Sequence, residues 1–434
     1  MKRLLFTFSF FFLFVLNGKA QEAEVLTLED CLRIGIDNNL LLEGKRKEIQ
    51  KNKYGVSENR SKLLPQINAI AGYNNNFDPP VSVTDGSSYG VPYNITETLQ
   101  HSANAGLEMQ MPLFNQTLYT SMSIAKVMEE ISRLSYGKAR EDVILQISKM
   151  YYLGQVTAEQ IMLIKANITR LKELRDITQA FFDNGMSMEV DLKRVNINLE
   201  NLQVQYDNAQ AMMKQQLNML KYIMDYPAEK EIALTPVNTD SITTVALTGL
   251  SENIYELQLS QSHVQLAERQ KRIITNGYIP SLSLTGSWRY AAYTDKGYHW
   301  FHSGPSNHWF RSYGVGLTLR IPIFDGLDKT YKIRKAMIDI ENSKLAWEDA
   351  RKNLQTQYLN AVNDLMNNQR NFKKQKDNYL LAEDVYAVTS DRYREGIASM
   401  TEVLQDEMQM SEAQNNYISC LLYTSPSPRD RQKS

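Results

Sequence analysis

Two carboxylates in this 434-residue sequence share a spacing that invites a functional reading: Gly185 leads to Asp191 as Gly396 leads to Glu402, with Gln405 and Asp406 just beyond the second. An acidic residue in a first helical turn meets the positive end of the helix dipole, so this placement alone requires no ligand. A second cluster, His299 and His302 beside Trp300, Phe301 and Trp309, offers imidazole to a transition metal. A loop crowded with aromatic residues at a membrane interface explains the same composition better and without any ligand. Glu108, Gln110 and Arg320 fall at polar positions of segments that alternate apolar with polar residues. No paired-carboxylate, Ser-His-Asp, Cys-rich or phosphate-loop arrangement appears, so an enzyme reading has no site to rest on. The two cysteines, Cys31 and Cys420, are too few for a disulfide framework. Lys and Arg number 48 against 49 Asp and Glu, a balance that argues against a nucleic acid partner. No cofactor is implied.

The elements that position these residues are marked by proline and glycine. Proline is absent from 113–226 and from 323–425, and each interval carries apolar residues at helical spacing. Leu192, Val195, Leu199, Leu202, Tyr206, Ala209, Met213, Leu217 and Leu220 step by threes and fours, as do Ile333, Met337, Ile340, Trp347, Leu354, Tyr358, Ala361 and Leu365. One apolar stripe per helix predicts side-by-side packing in the manner of a coiled coil. Sixty helical residues would span about 90 Å. Each interval is broken once, at Phe182-Asp183-Asn184-Gly185 and at Tyr393-Arg394-Glu395-Gly396, where glycine ends one helix and lets the chain reverse.

Ahead of each helix pair the period changes to two. Ala103 to Met111 and Tyr313 to Ile321 alternate apolar with polar residues, as do Ile67 to Tyr73 and Leu282 to Trp288, which predicts four strands. Each is about ten residues long, enough for a tilted strand to cross a bilayer. Apolar residues toward lipid and polar ones toward a lumen is the membrane-barrel pattern. A sheet packed on the long helices would alternate in the same way.

A repeat bears on that choice. Ala105-Gly106-Leu107-Glu108-Met109-Gln110-Met111-Pro112-Leu113-Phe114-Asn115 parallels Val315-Gly316-Leu317-Thr318-Leu319-Arg320-Ile321-Pro322-Ile323-Phe324-Asp325, and Leu64-Pro65 parallels Ile279-Pro280. The glycine turns follow in the same order, so a whole unit is duplicated. A four-stranded membrane sheet would leave its edges unpaired in hydrocarbon. Three protomers would close twelve strands, within the range of outer-membrane barrels. Met1 to Ala20 reads as a secretory signal peptide, with Lys2 and Arg3 ahead of an apolar run. Leu421 onward, with Pro426 and Pro428, resembles translated read-through of a sequencing-library adapter, which would cut the last helix short near Cys420.

With Leu26-Thr27-Leu28-Glu29-Asp30-Cys31-Leu32, Asn38-Asn39, the two Pro-x-Phe-Asn/Asp junctions and the two turns in order, residues 25–420 resemble the TolC-like outer-membrane efflux proteins. The resemblance implies a mainly α chain with membrane strands, forming a homotrimer: a twelve-stranded barrel, four strands per protomer, continued by a long helical barrel through the periplasm. The domains would be a signal peptide at 1–20 and a first repeat at 21–226, with strands 63–77 and 100–112 and helix pair 115–224. An equatorial linker at 227–250 would precede a second repeat at 251–420, with strands 279–293 and 311–322 and helix pair 326–420. The resemblance further implies an efflux or type I secretion duct in the outer membrane, fed by an RND or ABC inner-membrane pump through a periplasmic adaptor. Asp191, Glu402, Gln405 and Asp406 would ring the periplasmic aperture, Gly185 and Gly396 would form the tip turns, and Glu108, Gln110 and Arg320 would line the lumen. Gln405 departs from a common acidic position, and Ala398 replaces a basic residue that would latch the turns. A periplasmic coiled-coil adaptor shares the heptads but needs no bilayer-length strands.

Overall fold

The computed structural model describes residues 24–78, 81–85, 87–97, 99–236, 253–294 and 309–424. The signal-peptide segment, most of the linker, the loop holding His299 and His302, and the end of the tail lie outside these residues. In chain order the strands are β1 (Glu24–Leu26), β2 (Gln66–Asn75), β3 (Val81–Asp85), β4 (Tyr93–Glu97), β5 (His101–Phe114), β6 (Ile232–Leu234), β7 (Ser281–Thr294) and β8 (Trp309–Arg320). The helices are α1 (Leu28–Asn38), α2 (Leu40–Ser61), α3 (Gln116–Asp183), α4 (Glu189–Met224), α5 (Tyr255–Asn276), α6 (Asp328–Arg394) and α7 (Met400–Thr424). Helix α7 thus continues four residues past Cys420. The chain divides into two compact units, one within 1–44, 138–250 and 355–434 and the other within 45–137 and 251–354, so each draws on both halves of the duplicated sequence.

The unit built from 45–137 and 251–354 carries the four-stranded sheet, antiparallel throughout, in the order β2-β5-β7-β8. Its register puts the four alternations in phase. Ala69 faces Leu107, Leu107 faces Trp288 and Trp288 faces Tyr313, while Asn68, Glu108, Ser287 and Gly314 form the next row. A one-residue slip in any strand would move its apolar set to the other face. One face is therefore mainly apolar and the other mainly polar, with Arg311 on the first and Ile70 and Phe310 on the second. Gly106 is required at the β5–β7 crossing, since a Cβ there would lie 2.3 Å from the Trp288 carbonyl oxygen. The ladder shifts register between Pro112 and Phe114, where proline has no N–H to donate.

The repeated junction motif has a local cause. Asn115 Oδ1 accepts from the Thr117 and Leu118 amides at 3.0 and 3.3 Å, capping α3. Asp325 Oδ2 accepts from the Lys329 amide at 3.3 Å at the start of α6. The segment between β2 and β5 holds the antiparallel hairpin β3–β4.

In the other unit β1 and β6 pair in parallel. Tyr151 on α3 holds this pair by donating to the Leu26 carbonyl at 3.2 Å and sharing a 2.6 Å bond with Thr235 Oγ1. Cys31 is fully buried, and burial pushes its thiol up to about 12, which makes it unreactive. Leu171 and Leu174 of α3, Val195 and Leu202 of α4, Tyr386 of α6, and Val403 and Met410 of α7 form the core. Each fully buried Leu contributes roughly 1.5–3 kcal/mol. The seams differ from expectation at single positions. Gln216 is buried beside the half-buried Leu217, and on α6 Ala336 is buried while Met337 and Ala361 are exposed.

Candidate functional site

The helix pairs turn in matching geometry. At the first turn Gly185 N donates to Phe182 O at 2.9 Å and Met186 N to Phe181 O at 2.8 Å; at the second, Gly396 N donates to Tyr393 O at 2.9 Å and Ile397 N to Arg392 O at 2.8 Å. Both glycines take positive φ, 72° and 75°, the left-handed conformation that closes a helix C-terminus. The carboxylates beyond them then diverge. Ser399 and Glu402 form a reciprocal capping box: Ser399 N donates to Glu402 Oε2 at 3.1 Å and Glu402 N to Ser399 Oγ at 3.3 Å. Met188, the corresponding N-cap of α4, has no side-chain cap. Asp191 instead lies 3.6 Å from Arg194, with Ser187 Oγ 3.5 Å away.

Arg194 also donates to Thr401 Oγ1 at 3.2 Å, so it brings the two turns together. Ala398 packs against the apolar core. Glu402 and Gln405 are exposed and Asp406 is half-buried, with Val403 and Leu404 turned inward. Exposed carboxylates on such turns can attract cations.

Behind the turns lies a buried polar network that sequence reasoning missed. Asn167 on α3 donates to Gln414 on α7 at 2.7 Å, and Arg170 hydrogen bonds to Asn167 Oδ1 and to Glu383 on α6 at 3.2 Å. Glu407 on α7 is 6% exposed and belongs to this layer. Burial pushes its carboxyl up and nearby Arg170 pulls it partly back. Tyr386 is likewise pushed up, by burial first and then by Glu407. The signal was present: Met400, Val403, Glu407, Met410, Gln414 and Tyr417 form an unbroken three-four spacing, in which Glu407 and Gln414 are polar residues at seam positions.

On the sheet, Glu108, Gln110 and Arg320 share the polar face. Glu108 does not pair with Arg320, because β7 lies between β5 and β8. Its partner is Arg289 of β7, at 2.5 Å. Among the described residues no His, Cys, Asp and Glu group could hold a metal, and no helix is long and apolar enough to cross a membrane.

Comparison with known proteins bears on this arrangement. The sequence profile of a family described as outer membrane efflux protein matches residues 35–224 and 244–422. The chain is 21% identical over 323 residues to the outer membrane protein TolC of Vibrio cholerae serotype O1, covering 71% of this chain and 66% of that relative. It is 23% identical over 363 residues to the probable efflux pump outer membrane protein TtgC of Pseudomonas putida, covering 78% and 71%. Among solved structures it is similar to CusC, with a TM-score of 0.75 at 16% identity over 92% of this chain and 90% of that one. It is also similar to the open-state Neisseria gonorrhoeae MtrE outer membrane channel, at 0.73 and 16% over 93% and 87%. At these identities the structural likeness establishes the fold.

Proposed function

We propose, because this chain belongs to the outer membrane efflux protein family, that it is the outer-membrane duct of a tripartite efflux or type I secretion system. Substrate passes through it passively, delivered by an inner-membrane pump of RND or ABC type through a periplasmic adaptor, and the protein performs no chemistry. The observation that carries this reading is the sheet: four strands of bilayer length with their alternations in phase, one face mainly apolar and the other mainly polar, and β2 and β8 as open edges. In hydrocarbon each unpaired backbone group costs several kcal/mol. Three copies joining β8 to the next β2 remove that cost and give twelve strands around a lumen lined by Glu108, Gln110, Arg289 and Arg320.

Gly185 and Gly396 then stand at the periplasmic tips. Asp191, Glu402, Gln405 and Asp406 border the aperture there, and the contacts of Arg194 to Asp191 and Thr401 serve as the latch between neighbouring turns. The duplicated halves, 21–226 and 251–420, supply one strand pair and one helix pair each. A periplasmic coiled-coil adaptor would have no use for an exposed apolar sheet face. The test is fractionation with gel electrophoresis and planar-bilayer recording. A heat-sensitive oligomer in the outer membrane that conducts ions is expected; a monomer confined to the soluble periplasmic fraction would overturn the reading.

A further inference from the structure

Where the sheet hands over to the helices, the chain is exposed and apolar. Ile323 is 93% and Phe324 82% exposed, and Leu64, Ile279, Leu327 and Tyr331 are exposed beside them. These residues cluster at one end of the sheet, because the strand ends nearest Gln66, Phe114, Ser281 and Arg320 lie together in the antiparallel register. The adjoining helix ends are tied into one layer. Asn276 Nδ2 donates to Thr120 Oγ1 at 2.6 Å, and Lys329 Nζ lies 4.9 Å from the Tyr278 ring centre.

Just beyond the apolar residues stand cations of two kinds. Lys62, Lys329 and Lys332 are neutralised by Glu58, Asp325 and Asp328 at 3.2, 3.1 and 2.7 Å. Arg60, Arg272, Arg334 and Lys335 are exposed, and none has an ion-pair partner among the described residues; Arg334 lies 5.8 Å from the Tyr331 ring centre. On α6, Tyr331, Arg334 and Lys335 share a face, so one stripe changes from aromatic to cationic along the axis. Lys335 is one turn, about 5–6 Å, further from the sheet than Tyr331. The headgroup layer is about 5–7 Å deep on each side of the hydrocarbon. Long basic side chains bury their stems and hold their charge in that layer.

We propose that this collar binds anionic phospholipid headgroups of the periplasmic leaflet, with the four cations meeting phosphate and the apolar residues meeting acyl chains. The proposal rests on the channel reading, which sets the sheet in a membrane. A hydrated cell-wall polysaccharide would satisfy the cations but give Ile323 and Phe324 no apolar partner, so lipid is the better match.

The experiment is native mass spectrometry of the detergent-purified full-length trimer titrated with phosphatidylglycerol and with phosphatidylethanolamine of matched acyl chains. Wild type should prefer phosphatidylglycerol, and rising salt should erode the preference. Each basic residue near an anionic surface is worth up to about a fivefold change, so R60Q/R272Q/R334Q/K335Q should lose up to roughly 600-fold in phosphatidylglycerol affinity. Its trimer mass, conductance and phosphatidylethanolamine binding should not change. The pairs R60Q/R272Q and R334Q/K335Q, each losing part of the preference, serve where the quadruple variant assembles poorly. Equal binding of the two lipids by wild type, an undiminished preference in the variants, or binding of soluble muropeptides in place of lipid would overturn the proposal. Conducting trimers without lipid preference refute the collar alone; wild type that forms no conducting trimer refutes the channel reading and the collar with it.

Discussion

Substitutions at Glu402 can separate its capping role from its proposed place at the aperture. Its carboxylate accepts one bond, from Ser399 N at 3.1 Å, and its amide donates another, to Ser399 Oγ at 3.3 Å. Glu402→Ala removes only the first, which at an exposed site is worth about 0.5–1 kcal/mol. Ser399→Ala removes the second at a cost of about 1 kcal/mol. Glutamine serves in capping boxes as glutamate does, so Glu402→Gln keeps the local structure and deletes the charge. For a cation about 6 Å from three carboxylates in a water-like dielectric, the lost attraction sums to about 2 kcal/mol, or roughly 30-fold in affinity. Amide hydrogen exchange at residues 400–403 of the reconstituted trimer reads the cap, and cation block in planar bilayers reads the charge. Exchange should accelerate about threefold to fivefold in Glu402→Ala and in Ser399→Ala and hold in Glu402→Gln. Cation block should weaken by about an order of magnitude or more in both Glu402 variants and hold in Ser399→Ala. If Glu402→Gln accelerates exchange as much as Glu402→Ala, the capping assignment is wrong. If it leaves block unchanged, the carboxylate does not face the aperture.

Gly106→Val would place a Cβ 2.3 Å from the Trp288 carbonyl oxygen and 2.8 Å from the Arg289 Cα, both backbone atoms that cannot rotate away. It should cost upwards of about 1–3 kcal/mol and abolish the heat-sensitive oligomer in outer-membrane fractions while helicity by circular dichroism persists. At Gly396 nothing lies within 4 Å of an added Cβ, so Gly396→Ala pays only for its φ of 75°. That cost is about 1–2 kcal/mol, measured as a lower melting temperature of an otherwise assembled trimer. Glu407 titrates above the usual carboxylate value, so the folded state holds its proton more tightly than the unfolded one. The stability it contributes is present at low pH and lost as pH rises through the folded value. Glu407→Gln should therefore raise the melting temperature near about pH 8 and change it little near about pH 4; a uniform shift would show that burial does not hold this carboxyl above its usual value.

Most of the architecture could be read from periodicity because the long elements repeat one physical pattern many times. The in-phase faces of β2, β5, β7 and β8 and the seam through Val195, Leu199 and Leu202 were of this kind. What escaped was short or depended on distant partners. The β1–β6 pair is three residues per strand, and Val25 meets Ala233 only because the chain returns through Tyr151 and Thr235. Hairpin β3–β4 was hidden because Pro79, Pro80, Gly86 and Gly90 weigh toward loop. The partner of Glu108 depended on strand order, which periodicity does not contain. Glu402 is legible as a candidate and its position follows from the Ser-x-x-Glu spacing, whereas Glu407 is hidden because a polar residue at a seam position leaves the three-four spacing intact.

The open edges β2 and β8 have a genetic consequence. In a barrel closed by three copies, one chain with a defective strand breaks the ring for two sound partners, since neither edge can be satisfied by a pair alone. In a cell making equal amounts of wild-type and Gly106→Val chains that still recognise one another through their helices, roughly one ring in eight would be wholly wild type. Such an allele would be dominant, since the fraction of intact rings falls as the cube of the wild-type share. An allele that also removes the helical contacts would leave the sound chains free to assemble and behave as recessive.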